Sequence, residues 1–312
     1  TKEDSTISTV TVSVTADGYV GKSFIVDLTT ENADIKTVNT LLSLTSKSAD
    51  GVADASETSS VEGGTTAEAI VVDAKNAAVK NGEFILSKMM QSDGRLNRNY
   101  KDGKSVINAF LDDYALLIDA FVHLYQVTFD EQWLDHAKKL TEYTQSHFYD
   151  KSTGMFHYTS DLDPELIARK KELADNVIPG SNSTMARNLY QLGTILYQPE
   201  WVDLSKQMLH NLSESISETP QPNFYSNWCS LYWTVVNPPY EVAVMGDNSK
   251  ALSKELRQNY LPHALILGGA AEGNLELLKD KLVEGETRIY VCQDKACKLP
   301  TTEVKVALGL MK

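Results

Sequence analysis

Apolar residues recur at helical spacing from about residue 70 to residue 235, the pattern of helices with one buried face. Ala77, Phe84 and Leu86 fall on one side of a helix that ends near Met90. Residues 107–127 read as a long apolar helix. Residues 130–147 read as an amphipathic one, with Trp133, Leu134, Ala137 and Leu140 on its buried side. A further pair is predicted at about 181–197 and 199–217. The pairs repeat. A shift of 68 residues maps Leu124 onto Leu192, Trp133 onto Trp201, Leu134 onto Val202 and Leu140 onto Met208. A shift of 60 maps Ala77 onto Ala137 and Gly94 onto Gly154. The unit is an apolar helix, a short turn, an amphipathic helix and a longer loop with glycine. Such hairpins stack into a solenoid or a closed toroid, with the more apolar helix of each pair inside.

The period changes on both sides of this region. TVTVSVTADGYVGKSFIVDL (residues 9–28) alternates Val with Thr and Ser and turns at Asp17-Gly18, which predicts a β-hairpin. Residues 46–69 are small, polar and acidic, with too little apolar mass to offset their ordering entropy, and read as a flexible linker. After residue 240 come EVAVMG (241–246), ALSKELRQNY (251–260), ALILGG (264–269), NLELLKDKL (274–282) and TRIYVC (287–292). Read as β-α-β-α-β, they imply a small parallel sheet. The expected division is a β-rich segment over 1–45, the linker over 46–69, a helical-hairpin (α/α) toroid over 70–235 and a small α/β subdomain over 236–312. The fold class is therefore mainly α.

Composition narrows the partners. The 312 residues are 42% hydrophobic and 23% charged, with a formal net charge of −13. That balance argues against a nucleic-acid surface, which needs clustered Lys and Arg, and against docking on anionic membranes. No apolar run reaches the ~20 residues of a spanning helix. No signal peptide is visible at the start, and the missing initial Met suggests a processed or truncated chain. The three cysteines, Cys229, Cys292 and Cys297, are too few for a disulfide framework and fit a reducing compartment. A secreted, Ig-like origin for the hairpin at 9–28 would point the other way. The six histidines show no metal-ligand spacing, and GGAAEG (268–273) lacks the GxGxxG of a dinucleotide site. CxxxxC in YVCQDKACKLP is neither a zinc knuckle nor a CxxC motif, and reads first as packing or incidental thiols, second as a redox or metal site. No metal or cofactor is expected.

The candidate chemistry lies where the inner helices begin. In a toroid of hairpins their N-termini share one mouth, each with free N–H groups and a partial positive charge. INAFLDDYALL (107–117) places Asp112 and Asp113 there. The 68-residue shift places Gly180 and Ser181 opposite them, with Asn182 and Ser183 following. The next inner helix should start in YSNWCSLYW (225–233), bringing Ser226, Asn227 and Trp228. The preceding loops add Arg95, Asn97, Arg98 and Tyr100, then Asp175 and Asn176. Carboxylates, an arginine, amides and aromatics around a funnel suit a sugar-like polyol, and carboxylates with separated pKa values supply acid and base. The reading takes Asp113, Asp112 and Asp175 as catalytic candidates. Arg98, Ser181, Asn182, Asn227 and Trp228 are the substrate-binding ones. Capping alone also places Asp, Ser and Asn at helix starts. On a helical projection Asp113 borders the apolar arc of Phe110, Tyr114 and Leu117, whereas Asp112 points away with Asp119 and His123. Asp113 is thus the better functional candidate.

The segments GRLNRNYKDGKSVINAFLDDYALLIDAFVHLYQVTFDEQWLDHA, STGMFHYTSD, ADNVIPGSNSTMARNL, YSNWCSLY, PPYEVAVMGD and VEGETRIYVCQDKACKLPT occur in an order familiar from one family. From about residue 74 to 312 the chain resembles the C-terminal part of the thioredoxin-domain-containing proteins of unknown function, which include the spermatogenesis-associated thioredoxin-like proteins. The resemblance implies an N-terminal thioredoxin-like domain followed by an (α/α)-barrel of the six-hairpin glycosidase type, a class that holds glycosidases and sugar 2-epimerases. It attaches no firm activity. It favours a cytoplasmic setting. This chain departs from the pattern, since the thioredoxin-like domain and the first hairpins have no counterpart in it. Three expectations follow: a carbohydrate-active or sugar-binding barrel, a non-catalytic scaffold for a thioredoxin-like partner, or a rearranged chain without independent function.

Overall fold

In the computed structural model the backbone is described at residues 9–14, 19–20, 22–27 and 45–46, and then from 67 to 311 apart from 165–166. Side chains are described from residue 74 onward. The chain divides into two units, Thr1–Ala77 and Ala78–Lys312.

In the first unit β1 (Thr9–Val14), β2 (Tyr19–Val20), β3 (Lys22–Asp27) and β4 (Thr45–Ser46) form two small antiparallel pairs. β1 pairs with β3 in the register Thr9 to Asp27, as the Val/Thr alternation predicts. The turn at Asp17-Gly18 and the linker between residues 47 and 66 lie outside the described residues.

The helix α1 spans Ala67–Lys88. There follow α2 (Leu111–Thr128), α3 (Gln132–His147), β5 (Tyr149–Asp150), β6 (Met155–Phe156), α4 (Ser181–Ile195), α5 (Pro199–Asn211), the short α6 (Ser213–Glu218) and α7 (Ser226–Val236). α2 and α3 form one hairpin, and α4 and α5 the next. The repeat extends to the backbone of the turns. Phe129 and Tyr197 lie 68 residues apart, and both take a left-handed conformation (φ 58° and 55°) where α2 and α4 end. Gly94 and Gly154, 60 apart, are also left-handed, at φ 98° and 67°. The apolar faces meet in one core built on Tyr114, Ile118, Phe121, Trp133, Leu140, Met185, Leu189 and Trp228. α4 is bonded to both neighbours: Asn188 Nδ2 donates to Ala115 O of α2 at 2.7 Å, and Tyr190 Oη to Thr234 O of α7 at 3.4 Å. The result is a mainly α unit of hairpins set side by side, with small sheets.

The C-terminal elements are β7 (Tyr240–Met245), α8 (Ser249–Leu256), β8 (Ala264–Gly269), β9 (Arg288–Gln293), β10 (Ala296–Cys297) and α9 (Val304–Leu310). The sheet order is β10-β9-β7-β8. β7 and β8 are parallel, as expected for β-α-β, but β9 runs antiparallel to β7. The expected helix over 274–282 is only a 3-10 turn at Glu276–Leu278. Asp280 takes φ 57° just beyond it, and a helix cannot pass through a left-handed residue. Without a crossover helix the chain returns antiparallel. The sheet is buried on both faces, which explains its unbroken apolar runs. Ala243, Met245, Leu265 and Leu267 face the helical core, while Val242, Val244 and Ile266 alternate with them and pack on Leu256 of α8 and Val304 and Ala307 of α9. Buried Gln126 of α2 pins the sheet to the helices by accepting Ile266 N–H at 3.0 Å.

Cys292 and Cys297 are joined by a disulfide across β9 and β10, so these are not the separate thiols read first from the sequence. Asp294 and Lys295 both have positive φ, the two-residue turn that matches strand twist. The turn sets the cysteines opposite each other. Cys229 is free and exposed.

Candidate functional site

Asp113 lies at the third position of α2, where its Oδ2 accepts the N–H of Phe110 at 2.9 Å. That is half of a capping arrangement. The Arg98 Nε stands 3.5 Å from the same carboxylate. The Arg98 guanidinium lies over the Phe110 ring, 4.6 Å from its centre, and a weakly hydrated planar cation suits that position. Asp112 accepts the Asp113 N–H at 2.9 Å with one oxygen and the Tyr158 hydroxyl at 3.0 Å with the other. The Tyr158 ring packs on Phe110, with centroids 5.0 Å apart. Arg98, Asp112, Asp113, Phe110 and Tyr158 therefore form one half-open cluster, held by the Leu111 N–H donating to Tyr158 O at 3.0 Å.

Burial is the largest influence on the Asp113 carboxyl and raises its pKa. The Phe110 N–H pulls it down, the Asp112 charge pushes it up, and Arg98 pulls it down again. The Tyr158 hydroxyl is pushed up to about 12 by burial and by the Asp112 charge. The folded-state pKa of Asp113 lies above its unfolded value, so folding favours the neutral form. Its contribution to stability is fully present below the unfolded carboxylate range and is lost as pH rises through the folded pKa. Asp113→Asn stays neutral. It should gain stability on the wild type between about pH 4 and pH 7, measured as the difference in Tm across that range. A difference that does not change with pH would contradict the burial argument.

Asp175 is in different surroundings, being only 5% exposed. Its Oδ1 accepts the Gly180 N–H at 2.9 Å and the Ser183 hydroxyl at 2.8 Å, and its Oδ2 accepts the Asn227 N–H at 2.8 Å. One carboxylate thus caps α4 and reaches the start of α7. Asn227 Nδ2 donates to Ser183 Oγ at 2.9 Å, and Arg187 Nη1 donates to Asn227 Oδ1 at 2.6 Å. Asn182 is fully buried. It accepts the Phe156 N–H and donates to Phe156 O and Glu172 O, all within 2.8–3.0 Å. The Ser181 N–H donates to Glu172 Oε2 at 3.0 Å, while its buried hydroxyl has no partner among the described residues. Trp228 is 0% exposed and donates its indole N–H to Leu173 O at 2.7 Å. Among the described residues no hydrogen bond joins this network to Asp113.

The eight candidates thus fall into two groups. Arg98, Asp112 and Asp113 share a half-open cluster. Asp175, Ser181, Asn182, Asn227 and Trp228 lie inside, with their bonding directed at neighbouring backbone and side chains. Tyr158 and Glu172 also take part, and sequence reasoning missed both. Tyr158 sits in the quoted FHYTS stretch, but neither it nor Glu172 lies at a helix start. Among the described residues no group of His, Cys, Asp and Glu is arranged to hold a metal ion, and no helix is long and apolar enough to cross a membrane.

A mainly helical chain with a polar cluster at a helix start defines a class but no activity. The chain is similar to spermatogenesis-associated protein 20 of Rattus norvegicus, at 25% identity over 261 residues, covering 76% of this chain and 32% of the relative. The Homo sapiens protein of that name is 24% identical over 208 residues, covering 62% of this chain and 26% of that one. An uncharacterized protein of Caenorhabditis elegans is 25% identical over 244 residues, with 73% and 33% covered. These likenesses support the family indicated by the sequence. The chain spans about a third or less of the length of the curated relatives it matches. No family model matches it.

Proposed function

We propose that this chain is a carbohydrate-directed part of an (α/α) toroid, glycosidase- or sugar-epimerase-like, with Asp113 as its acid–base group. The observation that carries this reading is the Asp113 carboxyl itself. It is half-buried, raised in pKa, paired with Arg98 and set in the first turn of α2. Burial raises this carboxyl, and a carboxyl so placed can deliver a proton to a sugar oxygen and take it back. Arg98, kept flat on Phe110, orients a hydroxyl, and Asp112 acts through its bonds to Asp113 and Tyr158. Asp175, Ser181, Asn182, Asn227 and Trp228 hold the helix starts in place around it. The row of hairpins from α2 to α7 supplies part of the toroid's wall.

The test is a panel of neutral mono- and disaccharides, read by thermal shift and by product formation. At least one sugar should raise the Tm of the wild type, and Asp113→Asn should lose that response while melting no lower than the wild type. A flat panel, or an unchanged response in the variant, overturns the reading.

A second reading, a scaffold for a thioredoxin-like partner, is supported by apolar side chains left open on the helices. Leu116 and Val127 of α2 are each 42% exposed, and Trp233 and Tyr232 of α7 are 53% and 61% exposed. The Cys292–Cys297 disulfide is at home in an oxidising compartment, so the cytoplasmic setting is not part of either proposal.

A further inference from the structure

A cavity of about 830 Å³ opens between α4, α7 and the segment leading into β8, away from the residues around Asp113. Its size is that of a small-ligand site. Arg187 and Gln191 of α4, Ser230 and Trp233 of α7, and Tyr260 and His263 before β8 line it. The lining holds no Asp or Glu, although the chain carries 42 acidic residues against 29 basic ones. Its permanent charge is the Arg187 guanidinium. Among the described residues no carboxylate lies within ion-pair distance of that group. Its position is fixed by a neutral atom, Asn227 Oδ1, at 2.6 Å. Asn227 is in turn held by Asp175, whose carboxylate is buried and already accepts three hydrogen bonds. A guanidinium has five N–H donors in a planar fork, and Arg187, which uses Nη1 to bond Asn227, lines the cavity.

The rest of the lining suits a hydroxylated ring. Trp233 is 53% exposed, and its ring is steadied by the 3.4 Å contact of its N–H with His263 Nε2. The Ser230 and Thr234 hydroxyls donate to the carbonyls one turn back, at 3.0 and 2.9 Å. Their lone pairs are left to accept from the hydroxyls of a ligand.

We infer that this cavity binds an anionic polyol, a sugar ring bearing a carboxylate or a phosphate, with Arg187 gripping the anion and Trp233 stacking on the ring. The choice of a polyol rests on the carbohydrate reading above, whereas the selection for an anion rests on Arg187 and the absence of acids from the lining.

Calorimetric titration of the full chain with glucuronate, glucose 6-phosphate, glucose and inorganic phosphate tests it. One of the two anionic sugars should bind at least about tenfold more tightly than glucose, the scale of one charge-assisted contact. Which of them does so separates a carboxylate from a phosphate ligand. Arg187→Gln should cost about tenfold or more in that affinity, and the exposed Trp233→Ala about fivefold at an unchanged Tm. Trp233→Ala keeps the test valid if Arg187→Gln disturbs Asn227. Equal binding of glucose, no binding of either anionic sugar, or full affinity in both variants overturns the site. Inorganic phosphate binding as tightly as glucose 6-phosphate overturns the polyol. If Asp113→Asn leaves every sugar response intact while Arg187→Gln removes the anionic ones, the Asp113 reading fails and this one stands.

Discussion

Asp175→Ala should lower the free energy of unfolding by about 3–5 kcal/mol, the range for removing one member of a buried charged network. The carboxylate is the shared acceptor for Gly180 N–H, Ser183 Oγ and Asn227 N–H. Alanine leaves two backbone donors buried without partners, at the starts of two helices. The Ser183 hydroxyl can fall back on Gly180 O, which lies 2.9 Å away, so its loss is small. Asn227 also loses its anchor, and with it the seat of Arg187. Asp175→Asn keeps one acceptor oxygen and should fall between the two. Urea unfolding, with the midpoint shifted at unchanged slope, measures the loss. In a unit of this size it corresponds to a drop of roughly 10 °C in Tm. A loss below about 1 kcal/mol, with a sugar response gone, would make Asp175 a ligand-binding residue instead.

Trp228→Ala should cost a similar amount, about 3–5 kcal/mol, through the cavity left by a large buried ring. The side chain is 0% exposed, belongs to the core between α4 and α7, and donates to Leu173 O. Trp228→Phe fills most of the space and forgoes the hydrogen bond, so about 1–2 kcal/mol is expected. Thermal and urea unfolding of both variants check this. Near-normal stability in Trp228→Ala would return the ring to a ligand-facing role. Trp233, five residues along the same helix, is the exposed tryptophan.

The helical half of this protein was legible because its signals are local. The 68-residue repeat fixed the order of the hairpins and holds as far as the left-handed turn residues Phe129 and Tyr197. The start of α2 was legible for the same reason, since adjacent aspartates ahead of an apolar run mark a first turn. What failed depended on distant pairing. Nothing within 274–282 announces that Asp280 turns left-handed, and with no crossover helix β9 had to run antiparallel. The burial of both faces of β7 hid the α9 helix that covers one of them. The site shows the same divide. Sequence placed Asp113 at a helix start by register and Asp175 in the loop before the next inner helix, and expected both at one mouth. It could not say that Asp175 accepts three hydrogen bonds inside the fold while Asp113 stays half-open, because that depends on Gly180, Ser183 and Asn227 folding back onto it. Tyr158 and Glu172 were missed because their roles come from loops brought in from outside the repeat.

The central claim is that polar residues at these helix starts divide into a group that meets a ligand and a group that holds the fold. Thermal melts of Asp113→Asn, Arg98→Gln, Asn182→Ala and Asn227→Ala, with and without the sugar that shifts the wild type, test it most directly. The first two should melt no lower than the wild type and lose the sugar-induced shift. The last two should melt several degrees lower, by the loss of buried hydrogen bonds, and keep the shift. The reverse pattern, with Asn182→Ala and Asn227→Ala stable but unresponsive and Asp113→Asn still responsive, would contradict the account.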